Sequence, residues 1–286
     1  MLSTAQTHTT NAIDNNFIEV LLYINAQYNR TRKIDMSSSQ TQFPFQFGNP
    51  FSLNAILSAS YIDKHTQAQL SRVYLTLAAT LMAAAAGSFA HIKYHYFPDP
   101  AIPSLLTFLS MMGLMYTKPD KANFNMRFAL LMAFGFLNGS SLGSLINLAI
   151  QINPAILVAA LLSTTLVFIC FSICAMLSTR RSMLYLGGIL SSVTTFMFFS
   201  SIVNFLFRTT FIPWMHVYLG LFVFCGFILF DTQLIIEQIK SGNRDYIIMS
   251  MNLFVDFIAI FVRLLVILIN NNEERKRKKD SRNSRR

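Results

Sequence analysis

Two aspartates, Asp231 and Asp256, stand inside runs of residues otherwise fit for lipid, 222–237 and 252–261. Glu237 only ends the first run, and no other acidic residue of the chain lies inside an apolar segment. An aspartate near the centre of a bilayer costs roughly 2.5–3.5 kcal/mol even on the lenient insertion scale, so a chain that keeps two is expected to use them. Two carboxyls that face each other in a low dielectric cannot comfortably both ionise, and the pair is expected to share a proton and titrate as a unit. Such a pair senses pH. It also suits the transient binding of calcium, a hard cation that takes carboxylate and carbonyl oxygens and whose arrival releases the shared proton. Arg263, seven residues after Asp256, is a candidate accessory to the pair.

Helices must bring these groups together. The polar turn between the two runs is centred near Ser241, Gly242 and Asn243, with Asp231 about eleven residues before it and Asp256 about fourteen after. At 1.5 Å per residue their depths differ by only about 5 Å, so an antiparallel hairpin sets the carboxyls face to face. The competing reading is two unrelated aspartates, each capped by a hydroxyl such as Thr232 or by backbone.

The string from Cys225 to Glu237, CGFILFDTQLIIE, followed by Asp245, Tyr246 and Ile247 and then by LFVDFI from Leu253 to Ile258, closely resembles the Bax inhibitor-1 family of multi-pass membrane proteins. The likeness extends over roughly residues 51–280 and includes Asp63 to Tyr74 and Leu184 to Leu190. It implies a death-suppressing protein of the endoplasmic reticulum membrane, associated with Bcl-2-family partners and with a pH-dependent calcium leak, in which Asp231 and Asp256 match the family's paired aspartates. Some animal members carry an acidic residue four positions before the second aspartate. Here that accessory position holds Asn252, so a third carboxylate ligand is missing and weaker cation affinity or selectivity is expected.

The totals agree with a polytopic all-α membrane protein: 53% hydrophobic residues, 13% charged and a mean hydropathy of +0.45 over 286 positions. Only helices satisfy their own backbone in lipid segment by segment. The 27 Phe and 14 Met suit lipid-facing and packing surfaces, and no cofactor is expected. Cys170, Cys174 and Cys225 all lie in apolar runs without His or further Cys at ligand spacing, which supports neither a disulfide framework nor a metal knuckle.

Along the chain, residues 1–69 read as a cytosolic amino-terminal region without a secretory signal, 1–35 as a disordered leader, 70–270 as a transmembrane bundle and 271–286 as a basic cytosolic tail. Apolar segments are expected near 73–92, 101–117, 127–150, 155–177, 184–207, 214–236 and 247–269, with prolines at their margins. Gly135, Gly139 and Gly143 recur every four residues and read as a close-packing seam rather than a cavity lining. His65 reads as solvated, and His216, beside Trp214, as a residue of the membrane interface.

Lys and Arg number five in the amino-terminal region, three after segment two, two after segment four and two after segment six, against one, none and one in the intervening loops. The positive-inside rule therefore places the amino terminus in the cytosol. Seven crossings would deliver the eight Lys and Arg of the tail to the other side, so six crossings and a re-entrant seventh segment compete with seven.

Three functional classes remain in play. The first is a pH-sensitive calcium path through the paired aspartates, with protons, calcium and membrane lipids as partners and no nucleic acid. The second is a scaffold whose basic tail binds acidic lipid or Bcl-2-type proteins without transport. The third, an intramembrane aspartyl protease, would require Gly-x-Gly-Asp around one aspartate. The contexts here are Leu229-Phe230-Asp231 and Phe254-Val255-Asp256, and no enzyme is expected.

Overall fold

The computed structural model describes residues 64–94, 96, 101–120, 122–177, 183–207 and 211–283. The leader, the remaining residues to 63 and Arg180 to Ser182 lie outside them, as does the side chain of Trp214. Among the described residues the backbone forms seven α-helices and no strand: α1 Lys64–Tyr94, α2 Ala101–Tyr116, α3 Phe124–Ile152, α4 Pro154–Leu177, α5 Met183–Phe207, α6 Phe211–Lys240 and α7 Tyr246–Asn283. Spans within α1, α3, α4, α6 and α7 are long and apolar enough to cross a membrane, whereas α2 and the stretch Leu186–Ser201 of α5 are apolar but shorter.

The helices overrun the hydropathy-based segments. α1 starts nine residues earlier than expected, and α7 continues unbroken to Asn283 rather than ending near 269. The reason is that i→i−4 hydrogen bonding is indifferent to whether side chains face lipid or water, while hydropathy registers only the part that meets lipid. Pro103 and Pro154 sit in first turns, where a missing N–H costs little.

α7 is the centre of the bundle. Of its apolar window 83% is buried, against 28% for α4, and Leu253, Phe254, Ile260 and Leu265 are wholly enclosed. A helix apolar on every face is suited to that position. Aromatic edges lock its neighbours onto it: Phe134 of α3 meets Phe254 with ring centroids 5.5 Å apart, and Phe168 of α4 meets Phe257 at 5.6 Å. In lipid these contacts stabilise by close packing, since the tails are as apolar as the side chains they would replace.

α1 and α3 meet along the glycine seam. A Cβ on Gly139 would lie 1.9 Å from the Ala84 carbonyl oxygen, and one on Gly87 would lie 2.0 Å from that of Phe136. Both backbones come closer than any side chain allows, so the seam is packing. α6 and α7 form an antiparallel hairpin whose turn uses Gly242 at φ 89, with the Asn243 amide returning to the Gln238 carbonyl and the Asp245 amide donating to Asn243 Oδ1. A left-handed glycine just past a helix end is what satisfies the last carbonyls there.

Candidate functional site

The hairpin puts Asp231 and Asp256 side by side in the middle of the bundle. They are 5% and 4% exposed, and their carboxyls lie within interaction distance of each other. An ionised carboxylate only accepts, so a bond between two carboxyls requires a proton between them. Asp256 Oδ2 makes no hydrogen bond to a conventional donor. The alternative of two separately capped aspartates does not describe this geometry: Thr232, the hydroxyl next in sequence to Asp231, makes no hydrogen bond to either carboxyl.

Asn252 lies one helical turn before Asp256 on α7, is 4% exposed, and leaves its Oδ1 without a hydrogen bond. Cys225 of α6 lies within electrostatic reach of Asp256. Two helices outside the hairpin meet α6 at Thr232. The hydroxyl of Tyr74, on α1, stands near those of Ser172, on α4, and Thr232, on α6, close enough to interact though none of the three closes a full hydrogen bond. α6 is tied to the end of α4 by Gln233 Nε2, which donates to the Ala175 carbonyl.

Arg263 does not join the pair. Its Nη1 donates to the Ala259 carbonyl at 2.7 Å, and its guanidinium lies 4.3 Å from the Phe224 ring centroid, over Gly220. Seven residues of α7 separate it from Asp256, about 10 Å along the helix axis. Gly220 makes that seat: a Cβ there would be 2.3 Å from Arg263 Nε. His216 departs from its expected place at the membrane interface. Its side chain turns into the bundle, 5% exposed, with Nδ1 3.2 Å from Ser201 Oγ and the ring in the field of Arg263.

A second charged contact closes one end of the hairpin. Arg127, at the start of α3, makes two hydrogen bonds to Asp245, from Nη1 to Oδ1 at 2.9 Å and from Nη2 to Oδ2 at 2.7 Å, with side-chain exposures of 4% and 12%. This pair, Tyr74 and Ser172 escape a reading of the sequence alone, because each partner lies on a different helix. A lone arginine at the edge of an apolar run was the available signal for the first.

Among the described residues no three His, Cys, Asp or Glu side chains converge to hold a metal.

The family model described as Inhibitor of apoptosis-promoting Bax1 matches residues 66–273. Bax inhibitor 1 of Mus musculus is 39% identical over 221 residues, which cover 77% of this chain and 93% of that protein. Bax inhibitor 1 of Homo sapiens is 38% identical with the same coverage, and that of Arabidopsis thaliana is 36% identical over 76% of this chain and 87% of its own length.

Proposed function

The chain belongs to the Bax inhibitor-1 family of multi-pass membrane proteins, and from that premise we propose that it suppresses cell death in the endoplasmic reticulum membrane through a pH-sensitive calcium leak at the Asp231–Asp256 pair. The observation that carries this reading is the close approach of two carboxyls enclosed in the bundle. One shared proton holds the hairpin's two helices together at mid-depth. Its departure leaves two like charges in contact in a low dielectric, a state relieved by separation of the helices or by a cation between them. Calcium takes the place of the proton, so flux and titration are the same event seen from two sides.

Membrane lipids surround the bundle: large apolar side chains such as Phe222, Leu162 and Leu166 face outward. The reading extends to this chain the association with apoptosis-regulating proteins of the Bcl-2 type that its relatives' name implies. It assigns no catalysis, since the residues around each aspartate lack the Gly-x-Gly-Asp of intramembrane aspartyl proteases.

Calcium efflux from liposomes holding the purified chain, followed between about pH 6 and 8 where a coupled carboxyl titrates, tests it. Asp231→Asn and Asp256→Asn should each abolish or strongly shift the pH dependence. The double variant should add little, because the two residues act as one unit. Parent-like profiles in both single variants would leave the pair without a role in gating.

A further inference from the structure

The fold divides the three cysteines of the chain. Cys225 of α6 is half-buried, whereas Cys170 and Cys174 of α4 are both exposed. α4 packs by one face: Phe168, Ser172 and Ala175 are buried, and Gln233 of α6 donates to the Ala175 carbonyl. The two thiols stand on the other side, with Leu162, Leu166, Ile169 and Ile173, all exposed. Four residues apart, Cys170 and Cys174 are successive rungs of that one face.

They also lie near one end of the helix. Cys174 is about 4.5 Å along the axis from Leu177, the last residue of α4, and Cys170 about 10 Å. Basic residues gather at that end. Arg180 and Arg181 follow in the sequence, and α6, tied to α4 at Ala175, runs on to Lys240, with Arg244 in the turn beyond. The positive-inside rule assigns such an end to the cytosol. Cys174 thus combines a lipid-facing side with a place next to the water margin, where a juxtamembrane thiol meets acyl donors. Cys225, enclosed within electrostatic reach of Asp256, has neither.

We propose that Cys174, and more deeply Cys170, are S-acylation sites that carry a long-chain fatty acyl group. The sulfur of Cys174 attacks the carbonyl carbon of an acyl thioester donor of the acyl-coenzyme A class. The donor's C–S bond breaks as the new one forms, and the thiol proton passes to the released donor thiolate. One thioester replaces another, so no oxidant or reductant is consumed. The exposed face has room for the chain: hung from Cys174 and directed inward, it lies along Ile173, Ile169, Leu166 and Leu162. Leu162 is about 18 Å from Cys174 by helix rise, slightly more than one leaflet of a roughly 30 Å core. The acyl chain is not needed for attachment, which the spans provide. It covers α4, the least enclosed of the spans long enough to cross a membrane among the described residues. Nothing in this proposal depends on the carboxyl pair or on calcium.

The test is thioester exchange on the full chain expressed in cultured eukaryotic cells. Free thiols are blocked, thioesters are cleaved with hydroxylamine, and the thiols so released are coupled to a polyethylene-glycol maleimide that retards the band on a gel. The parent should show retardation that depends on hydroxylamine. Cys174→Ala should lose the larger share of it, Cys170→Ala a smaller share, and the two together all of it, while Cys225→Ala should match the parent. An alkyne analogue of palmitate fed to the cells should label the parent and not the double variant. Cys170→Ser with Cys174→Ser gives the same reading should the alanine pair lower expression. A parent without hydroxylamine-dependent retardation overturns the proposal. So does retardation that survives in the double variant, that disappears in Cys225→Ala, or that is lost in Cys170→Ala and untouched in Cys174→Ala.

Discussion

Arg127 and Asp245 meet through two parallel hydrogen bonds where α3 begins and α7 is about to, whereas Asp231 and Asp256 set two carboxyls side by side some eleven residues further along α7. The carboxyl pair is buried, the ion pair is partly so, and both tie the α6–α7 hairpin. They differ in what ionisation does to them. The guanidinium and carboxylate attract in their charged forms, and the planar fork satisfies both carboxylate oxygens, so the contact holds without a titrating proton. On the proposed mechanism the carboxyl pair holds only while it is protonated. One contact is a fixed strap at the end of the hairpin, and the other is the part of it proposed to respond to pH.

The strap is the place to break first. Arg127→Met leaves the Asp245 carboxylate, 12% exposed in the parent, without its partner; removing one side of a buried ion pair costs about 3–5 kcal/mol, and of a part-buried one less. Thermal unfolding in detergent should record that loss. Arg127→Met combined with Asp245→Leu should lose less than Arg127→Met alone, since no lone charge remains. A single variant as stable as the parent would reduce the contact to ornament.

The same assay on Asp256→Asn should give a small change, within about 1 kcal/mol of the parent and of either sign. The amide supplies the donor that the shared proton supplied, and it cannot ionise. A loss equal to that of Arg127→Met would erase the distinction between strap and switch.

Asn252→Asp sharpens the comparison by adding a carboxylate one turn from Asp256, in the oxygen set rather than in the strap. Half-saturation of efflux should fall to a lower calcium concentration by a few-fold, on the order of one added hard ligand in a flexible site. An unchanged half-saturation would place Asn252 outside the path.

Much of this molecule was legible as a string. Apolar runs, prolines at their margins and a Gly-containing turn specify a helical membrane bundle, and two carboxylates at matched distances from that turn specify that they meet. Packing was legible at the Gly135–Gly139 seam, because small residues four apart make a face without further information. His216 was misplaced because position beside a tryptophan says nothing about which way a ring turns, and here the bundle interior offers it Ser201.

By itself the sequence determined the fold class and the carboxyl pair, since both follow from costs local to a helix or a hairpin: lipid rejects unsatisfied backbone and unpaired charge, and 1.5 Å per residue converts spacing to depth. Only the tertiary structure decided that α7 is the enclosed helix, that Arg263 settles on Phe224 over Gly220 rather than beside the aspartates, that Arg127 finds Asp245, and that Tyr74 and Ser172 reach Thr232. Each of these joins different helices, and which faces of those helices touch is set by how all of them pack at once, a property that no local spacing encodes.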